Sequence, residues 1–496
     1  MNVLDRFVSF FNPQAGVQRA AARQVLSAWH RDYAAAQHGR RNRSWRARGT
    51  SANAEVATGF VTLRDRARDF VRNSWAGQRI LDVMTSHVIG TGIMTVPNTG
   101  SDRDDNRYKL LREEWEAQSD VEGVLDYGGQ QALLLRSMIE GGDSVQRMIP
   151  ISLADAGRGV ALRLQSLEGD SIDTSRDAVP DGTVRLGVKL GDWGARQGLY
   201  LHRSHPGETG LASIEPSQFV EWEDLCHLYR PLRIGQVRGV TWFAPILLPA
   251  KEIQDLMEAA IVQQRTQASF AGFIKRQPGG VSPFAAKADS SEPGSKVTRI
   301  EPGQIQDIGD AEIVFANPSS QSVFGDAYKA GLMAIAAGAG LTYDQLTGDL
   351  SQANYSSLRA GKIEFRRIVE QLQWGVFVPM VCRKVDRRFE ELAVMAGKLR
   401  PRKDGYRVDH VMPAVEPIDP KKDLEADILA VRSGRMSPQE FISAWGRDWR
   451  KVVTDFDSFF SFVDQNSVPL DIDPRRPWKG GGSATPAVPA GGNQDE

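Results

Sequence analysis

Cysteine is scarce in this chain of 496 residues, which has two, Cys226 and Cys382, far apart in the sequence. Two separated cysteines cannot build a disulfide framework or a cysteine-based zinc site, so we interpret both as small core residues of a protein in a reducing compartment. An excess of charge of one sign is also missing, because 61 Lys and Arg residues stand against 62 Asp and Glu residues. This balance excludes a protein that wraps nucleic acid through its overall charge, and any such contact must be local.

Long apolar runs are missing too. The sequence has no uninterrupted apolar run of roughly 18 residues, so we predict no membrane-spanning helix and no membrane partner. The first residues contain an early acid, Asp5, and lack a basic region ahead of their short apolar run. We therefore expect no signal peptide.

Familiar catalytic motifs are absent from the sequence. It contains no GxxxxGK[ST] phosphate loop, no GxSxG and no HExxH. Gly90, Thr91 and Gly92 follow a helical pattern without a third glycine, which indicates a helix stop rather than a dinucleotide site. The GGDS sequence of residues 141–144 resembles a phosphate-cradling turn, but the entry to a hairpin is the favoured interpretation.

A histidine pair is the one pattern that suggests a metal. His202 and His205 are three residues apart, near Glu208 and Asp224. The stretch reads as a strand followed by a turn, where histidines at this spacing do not converge as they do on a helix. We therefore predict no metal site, no catalytic residues, no cofactor and no enzymatic activity.

A basic arm, residues 1–55, precedes the periodic part of the chain. Between residues 17 and 50, aromatic residues alternate with many arginines, and one acid, Asp32, opposes them. Such a segment can contact a nucleic-acid backbone or an acidic protein, or it can be a flexible arm that docks on a neighbouring surface. The candidate contact residues are Arg40, Arg41, Arg43, Arg46 and Arg48.

Hydrophobic periodicity predicts helices first and strands next, followed by more helices. Residues 56–88 read as a helix interrupted at Asn73 and Ser74. Strands are predicted at 143–149, 160–166, 184–190, 198–202 and 219–229, and this grouping indicates an α+β fold with an antiparallel sheet. Residues 356–396 predict a long helix that Gly375 and Pro379 should kink.

Four segments resemble the lambda-type portal proteins of tailed bacteriophages. They are LRDRARDFVRNSWAGQRILDVMTSHVIGTG at 63–92, LYRPLRIGQVRGVTWFAP at 228–245, GLTYDQLTGDLSQANYSSLRAGKIEF at 340–365 and PIDPKKDLEADILAVRSG at 417–434. The third is close to the family's T-Y-E-x-L-T-G-D-x-S-x-x-N-Y-S-S-x-R and is the most specific. The resemblance runs through residues 56–446 in the family's order.

The resemblance implies a ring, typically of twelve subunits, at one capsid vertex, through which double-stranded DNA passes during packaging and ejection. The implied partners are the terminase large subunit, the major capsid protein and the head-completion or adaptor proteins. The implied location is the virion, with the host cytoplasm during assembly. A related adaptor or portal-like ring of a prophage or gene-transfer particle, and more distantly a soluble enzyme, stay open as alternatives.

The family anatomy also implies a division of the chain. The implied regions are a wing at 56–242, a stem helix at 243–272, a clip at 273–317, a second stem helix at 318–340, a tunnel loop at 341–355, a long wing helix with its following segment at 356–417, a crown at 418–470 and a disordered tail at 471–496.

The implied tunnel loop contains no Lys or Arg. This sequence therefore gives no reason to expect the loop to bind DNA tightly through positive charge. Its polar residues, the candidate contacts to DNA, are Asp344, Gln345, Asp349, Gln352 and Asn354. A weakly binding surface suits a channel, because counterion release would make a strongly basic one hold DNA. We expect Leu341, Leu346 and Leu350 to anchor the loop, and Gly348 to form a flexible tip.

Overall fold

The computed structural model describes nine longer ranges and a few isolated positions. The ranges are 49–157, 159–177, 183–208, 216–269, 273–275, 312–314, 323–351, 354–415 and 419–468. By its internal contacts the chain divides into a unit of residues 1–55 and a unit of residues 56–496. In the first unit, the Thr50 hydroxyl donates to the Glu55 carboxylate at 2.7 Å.

The described elements give a mixed helical and antiparallel β fold, as the sequence predicted. The helices are α1 (Ala52–Asn73), α2 (Trp75–Val88), α3 (Asp102–Glu116), α4 (Tyr127–Gly141), α5 (Leu153–Ala156), α6 (Leu247–Ser269), α7 (Val323–Ala339), α8 (Tyr343–Thr347), α9 (Tyr355–Leu372), α10 (Arg383–Met395), α11 (Pro420–Arg432), α12 (Pro438–Ala444) and α13 (Trp449–Gln465). The strands are β1 (Met94–Pro97), β2 (Asp143–Pro150), β3 (Leu162–Glu168), β4 (Val184–Arg185), β5 (Val188–Leu190), β6 (Arg196–Leu201), β7 (Gln218–Glu221), β8 (Leu225–Tyr229), β9 (Phe273–Lys275), β10 (Glu312–Val314) and β11 (Val408–Val411).

The predicted helix ends are largely confirmed. Ser74 has extended backbone angles and separates α1 from α2, at the interruption read from the sequence. Gly90 has a φ of +53°, in the left-handed region that glycine adopts without strain, so the helix stop is confirmed. The Ser-x-x-Glu spacing of Ser437 and Glu440 predicts a capping box, which is present at the start of α12.

Among the described residues, β1 pairs with β11 and β9 pairs with β10, and the predicted strands form two larger antiparallel sheets rather than a single one. One has the order β3-β2-β8 and the other the order β4-β5-β6-β7. The predicted strand 184–190 is a hairpin instead, because Leu186, with a φ of +49°, and Gly187 turn the chain. The predicted strand 219–229 is split by a 3₁₀ turn at Trp222–Asp224, and its two halves join different sheets.

The principal core lies between the helices and the three-stranded sheet. Ile80 of α2, Leu135 of α4, Leu228 of β8 and Phe389 of α10 are among its fully buried members. A second core beneath the four-stranded sheet includes Val188. Both cysteines are free and buried, which confirms their interpretation as core residues.

The long helical segment is interrupted where Gly375 and Pro379 predicted a disturbance. Its form is a π-helix, Gln373–Cys382, between α9 and α10. Pro379 is half-buried and has no N–H to donate, and the wider turn accommodates it within the helical segment. The Gln373 amide donates to the Val88 carbonyl oxygen at 2.8 Å, which ties this segment to the end of α2.

A buried ion pair links the three-stranded sheet to the four-stranded sheet. The Arg238 guanidinium donates to both carboxylate oxygens of Asp143, the first residue of β2. It also donates to the carbonyl oxygens of Gly169, at 2.8 Å, and of Leu186, at 3.1 Å. Gly239 is required beside it, because a Cβ there would lie 1.8 Å from the Gly142 carbonyl oxygen.

His227 completes this network in its neutral form. Its Nε2 lies 3.3 Å from the Asp143 carboxylate, and its Nδ1 lies 3.3 Å from the Arg196 guanidinium. Since a guanidinium only donates, Nδ1 must accept, and the proton is on Nε2. Burial lowers the pKa of His227 to about 4, although Asp143 opposes this shift. Burial alone would raise the pKa of Asp143, but Arg238 and His227 together hold it well below its usual range.

This network predicts a loss of stability in mild acid. Above the ordinary histidine pKa of about 6.5, the neutral His227 makes its full contribution to the stability of the folded state. This contribution is lost as the pH falls toward the folded-state pKa of about 4. The full shift corresponds to about 3 kcal/mol. In urea unfolding at fixed protein concentration, His227→Gln, which keeps one donor and one acceptor, should lose less stability between pH 7 and pH 4.5 than the parent. His202→Gln is the matched control. Equal pH dependence in parent and His227→Gln would contradict the assignment.

Candidate functional site

The polar segment 341–355 contains a helix, so its interpretation as a loop throughout is wrong. The short helix α8, Tyr343–Thr347, lies between α7 and α9 and packs against α2 and α7. The Arg79 guanidinium of α2 donates to the Gln345 carbonyl oxygen at 3.0 Å. The segment is thus held to the helical core at its midpoint.

Two of the candidate DNA contacts cap helices. The Gln345 side chain accepts a hydrogen bond from the Thr342 backbone N–H at 3.0 Å, as part of a capping box at the start of α8. The Asn354 side chain accepts from the Ser357 N–H at 2.8 Å and caps α9. The Thr-x-x-Gln spacing carries this signal in the sequence, since it is the capping-box pattern.

The apolar anchors are confirmed in two of three positions. Leu341 and Leu346 are buried, whereas Leu350 is 59% exposed. Gly348 has a φ of +73° and ends α8 as its C-cap, so its role is to terminate a helix. The expected flexible tip is therefore a defined helix end, and Leu350 projects beyond it into solvent.

The acidic candidates differ in exposure. Asp349 is exposed, and its carboxylate accepts from the Ser351 N–H at 2.9 Å. The hydrogen bonds with Ser351 lower the pKa of Asp349, so it stays charged at neutral pH. Asp344 is half-buried in the first turn of α8. These carboxylates give this face a negative charge.

Other candidates fall outside the described residues. They are Gln352 of the polar segment and, in the basic arm, Arg40, Arg41, Arg43, Arg46 and Arg48. The same holds for most of the predicted tail.

The two histidines considered for a metal contact different acids. His202 lies 3.6 Å from Asp173, whereas the His205 Nε2 lies 3.2 Å from Glu168 and 3.7 Å from Asp170. Their ring nitrogens thus do not converge on one ligand position.

The carboxylates beside His205 already have cationic partners. The ligand atoms of Glu168, Asp170 and His205 all lie within 4.8 Å of one another, a spacing that a metal ion could bridge. The Arg68 guanidinium contacts both carboxylates, at 2.6 Å from Glu168 and 2.7 Å from Asp170. Arg64 adds a contact of 2.9 Å to Asp170. The cluster is a salt-bridge network that joins α1 to the end of β3.

No described helix has both the length and the apolar character needed to cross a lipid bilayer.

Comparison with known proteins identifies the class. Residues 38–373 match the family described as phage portal protein, lambda family. Because this match spans more than half of the 496 residues, the chain belongs to the lambda family of phage portal proteins.

Individual relatives agree with this family. The chain is 24% identical over 444 residues to a probable portal protein of Halomonas phage phiHAP-1, covering 84% of each chain. It is 23% identical over 376 residues to portal protein B of Escherichia phage lambda, covering 65% of this chain and 67% of that one. Among solved structures, a chain in the neck of a native gene transfer agent particle is similar with a TM-score of 0.39 and 15% identity, over 77% of this chain and 93% of that one.

The capping role of Asn354 can be tested directly. Asn354→Ala should lower the free energy of unfolding by about 1 kcal/mol, because it removes the oxygen that accepts from the first turn of α9. Asn354→Asp keeps that oxygen and should retain most of the stability. Chemical denaturation of the three proteins measures this. An alanine variant as stable as the parent would contradict the capping role.

Proposed function

We propose that this chain forms a closed ring, typically of twelve subunits, at one capsid vertex, with a central channel for double-stranded DNA. Membership of the lambda portal family carries this proposal, since the matched region includes the polar segment and the helices on both sides of it. The family is structural, which favours an architectural role over catalysis. The ring would stand in the virion, after assembly in the host cytoplasm.

Exposed apolar surface on single helices supports assembly into an oligomer. On α6 the exposed apolar residues include Leu248, Met257 and Val262, and on α13 they include Phe456 and Phe462. One isolated chain would leave these faces in water, and apolar faces of this kind are typical of protein interfaces. Head-to-tail contacts that close produce a ring.

The regional anatomy follows from the same proposal. Helices α6 and α7 contact each other and suit the two stem helices. The short strands β9 and β10 lie between α6 and α7 in the sequence and pair with each other. They suit the base of a clip that docks the terminase large subunit and later the head-completion proteins. The elements up to about residue 242 suit the wing, with the long helical segment α9 to α10 behind the tunnel loop. Helices α11 to α13 suit the crown, and the major capsid protein would surround the ring.

The polar segment 341–355 is proposed to face the channel. Its described charged side chains are acidic, so it repels phosphate. The amide side chains of Gln345 and Asn354, which take part in the helix caps, offer neutral contacts. Weak contact lets DNA slide past, because few counterions are released on binding. Helix α8 and its caps give the described part of this segment a defined surface.

Assembly is the first test of the proposed function. Native mass spectrometry or mass photometry should give a closed species at a large integer multiple of the 54.7 kDa chain mass. Negative-stain images should show rings with a central hole. A stable monomer at micromolar concentration across several buffers would overturn the proposal.

The channel role has a separate test in charge reversal. The double variant Asp344→Lys with Asp349→Lys should assemble normally but package or retain DNA abnormally, because two cations per subunit add salt-dependent phosphate affinity. The matched control is Asp344→Asn with Asp349→Asn, which removes charge without adding any. Packaging assays at low and high salt compare the variants. Normal packaging and ejection by the lysine variant would exclude a channel position for this segment.

A further inference from the structure

A rigid apolar projection extends from the end of the three-stranded sheet. Residues 230–236, here called the RIG loop, follow β8. Ile234 at its tip is 104% exposed, and Leu232 is 59% exposed. Two arginines, Arg230 and Arg233, lie in the same loop. It therefore combines apolar side chains with positive charge.

The RIG loop is held in shape by one buried side chain. The Gln236 amide oxygen accepts from the backbone N–H groups of Leu232, at 2.8 Å, and Arg233, at 3.1 Å. Its amide nitrogen donates to the Arg238 carbonyl oxygen at 2.7 Å. The Arg230 guanidinium lies over the Trp242 ring at 4.1 Å. A loop fixed in this way presents its apolar tip without an ordering cost on binding.

An acidic cavity of complementary character lies elsewhere on the same chain. It has a volume of about 300 Å³. Its charged lining residues are Glu113, Glu116 and Asp126. Glu116 already pairs with Arg112 at 2.8 Å, and Met94 supplies exposed apolar surface. We call this the acidic cleft.

The two surfaces lie at opposite ends of helix α4. The acidic cleft includes Tyr127, the first residue of α4. The base of the RIG loop returns to the other end, where the Trp242 N–H donates to the Ile139 carbonyl oxygen at 2.9 Å. A helix of 15 residues spans about 22 Å, so the loop cannot fill the cleft of its own subunit.

We propose that the RIG loop of each subunit docks into the acidic cleft of the next subunit in the ring. Two different, complementary surfaces at opposite ends of one helix are what a head-to-tail contact requires. The apolar tip meets Met94, and the RIG loop, which has two arginines and no acid, lies against Glu113 and Asp126. This charge match favours a second copy of this chain as the occupant. The inference rests on the proposed ring.

Intersubunit cross-linking tests this contact. The variant Ile234→Cys with Met94→Cys should give a ladder of covalent multimers after mild copper–phenanthroline oxidation, because a disulfide needs Cα atoms within about 7 Å. Both native cysteines are buried, which limits their interference. Trp193→Cys with Met94→Cys is the matched control, since Trp193 is as exposed as Ile234, and it should give no ladder.

A second variant tests the same contact if the double-cysteine variant does not assemble into rings. Ile234→Glu places a carboxylate against the acidic cleft and should lower the ring fraction by at least about tenfold at fixed concentration, with an unchanged circular dichroism spectrum. Trp193→Glu should assemble like the parent.

The outcomes separate this proposal from the ring itself. Rings of parental mass without a ladder, or normal assembly of Ile234→Glu, would overturn the RIG loop contact and leave the portal ring standing. A parent protein that forms no ring would overturn the proposed function instead.

Discussion

The ion pair between Asp143 and Arg238 is the interaction on which the link between the three-stranded and four-stranded sheets depends. One guanidinium joins the start of β2, the turn at Gly169 and the hairpin at Leu186. Burying two charges costs desolvation energy, which is recovered only when the geometry is good and the remaining donors are satisfied. Arg238 meets that condition, because its Nε and both Nη atoms all donate. The same residue fixes the base of the RIG loop, through its carbonyl oxygen and Gln236.

Much of the helical framework could be predicted from the sequence, because helix ends carry local chemistry. The Ser74 break, the Gly90 stop and the Ser437 capping box each depend on a few neighbouring residues. The strand errors have a different origin. Leu186 turns the chain with a positive φ that side chains rarely adopt, and no propensity predicts that. The buried network joins residues 95 positions apart, beyond the reach of any local pattern.

The candidate site was predicted in part, and the reason lies in what polar side chains can do. The sequence shows that Gln345 and Asn354 are polar, but not whether they contact a ligand or their own backbone. Both accept hydrogen bonds within the first turn of a helix. A capped helix against α2, tied by Arg79, has fewer conformations than a loop. The hydrogen bond from the Ser351 N–H to the Asp349 carboxylate adds a further local constraint after that helix.

Balanced charge also bears on assembly. A ring multiplies the net charge of its subunit, and a chain at −1 adds little repulsion when many copies close together. Local contacts then decide the geometry. Apolar faces such as that of α13 provide area to bury between subunits. They do little to fix how two subunits are aligned, because one apolar contact resembles another. A shaped loop with its own charge, meeting a cleft of opposite charge, fixes the relative orientation of neighbouring subunits, and that orientation determines whether a head-to-tail chain closes.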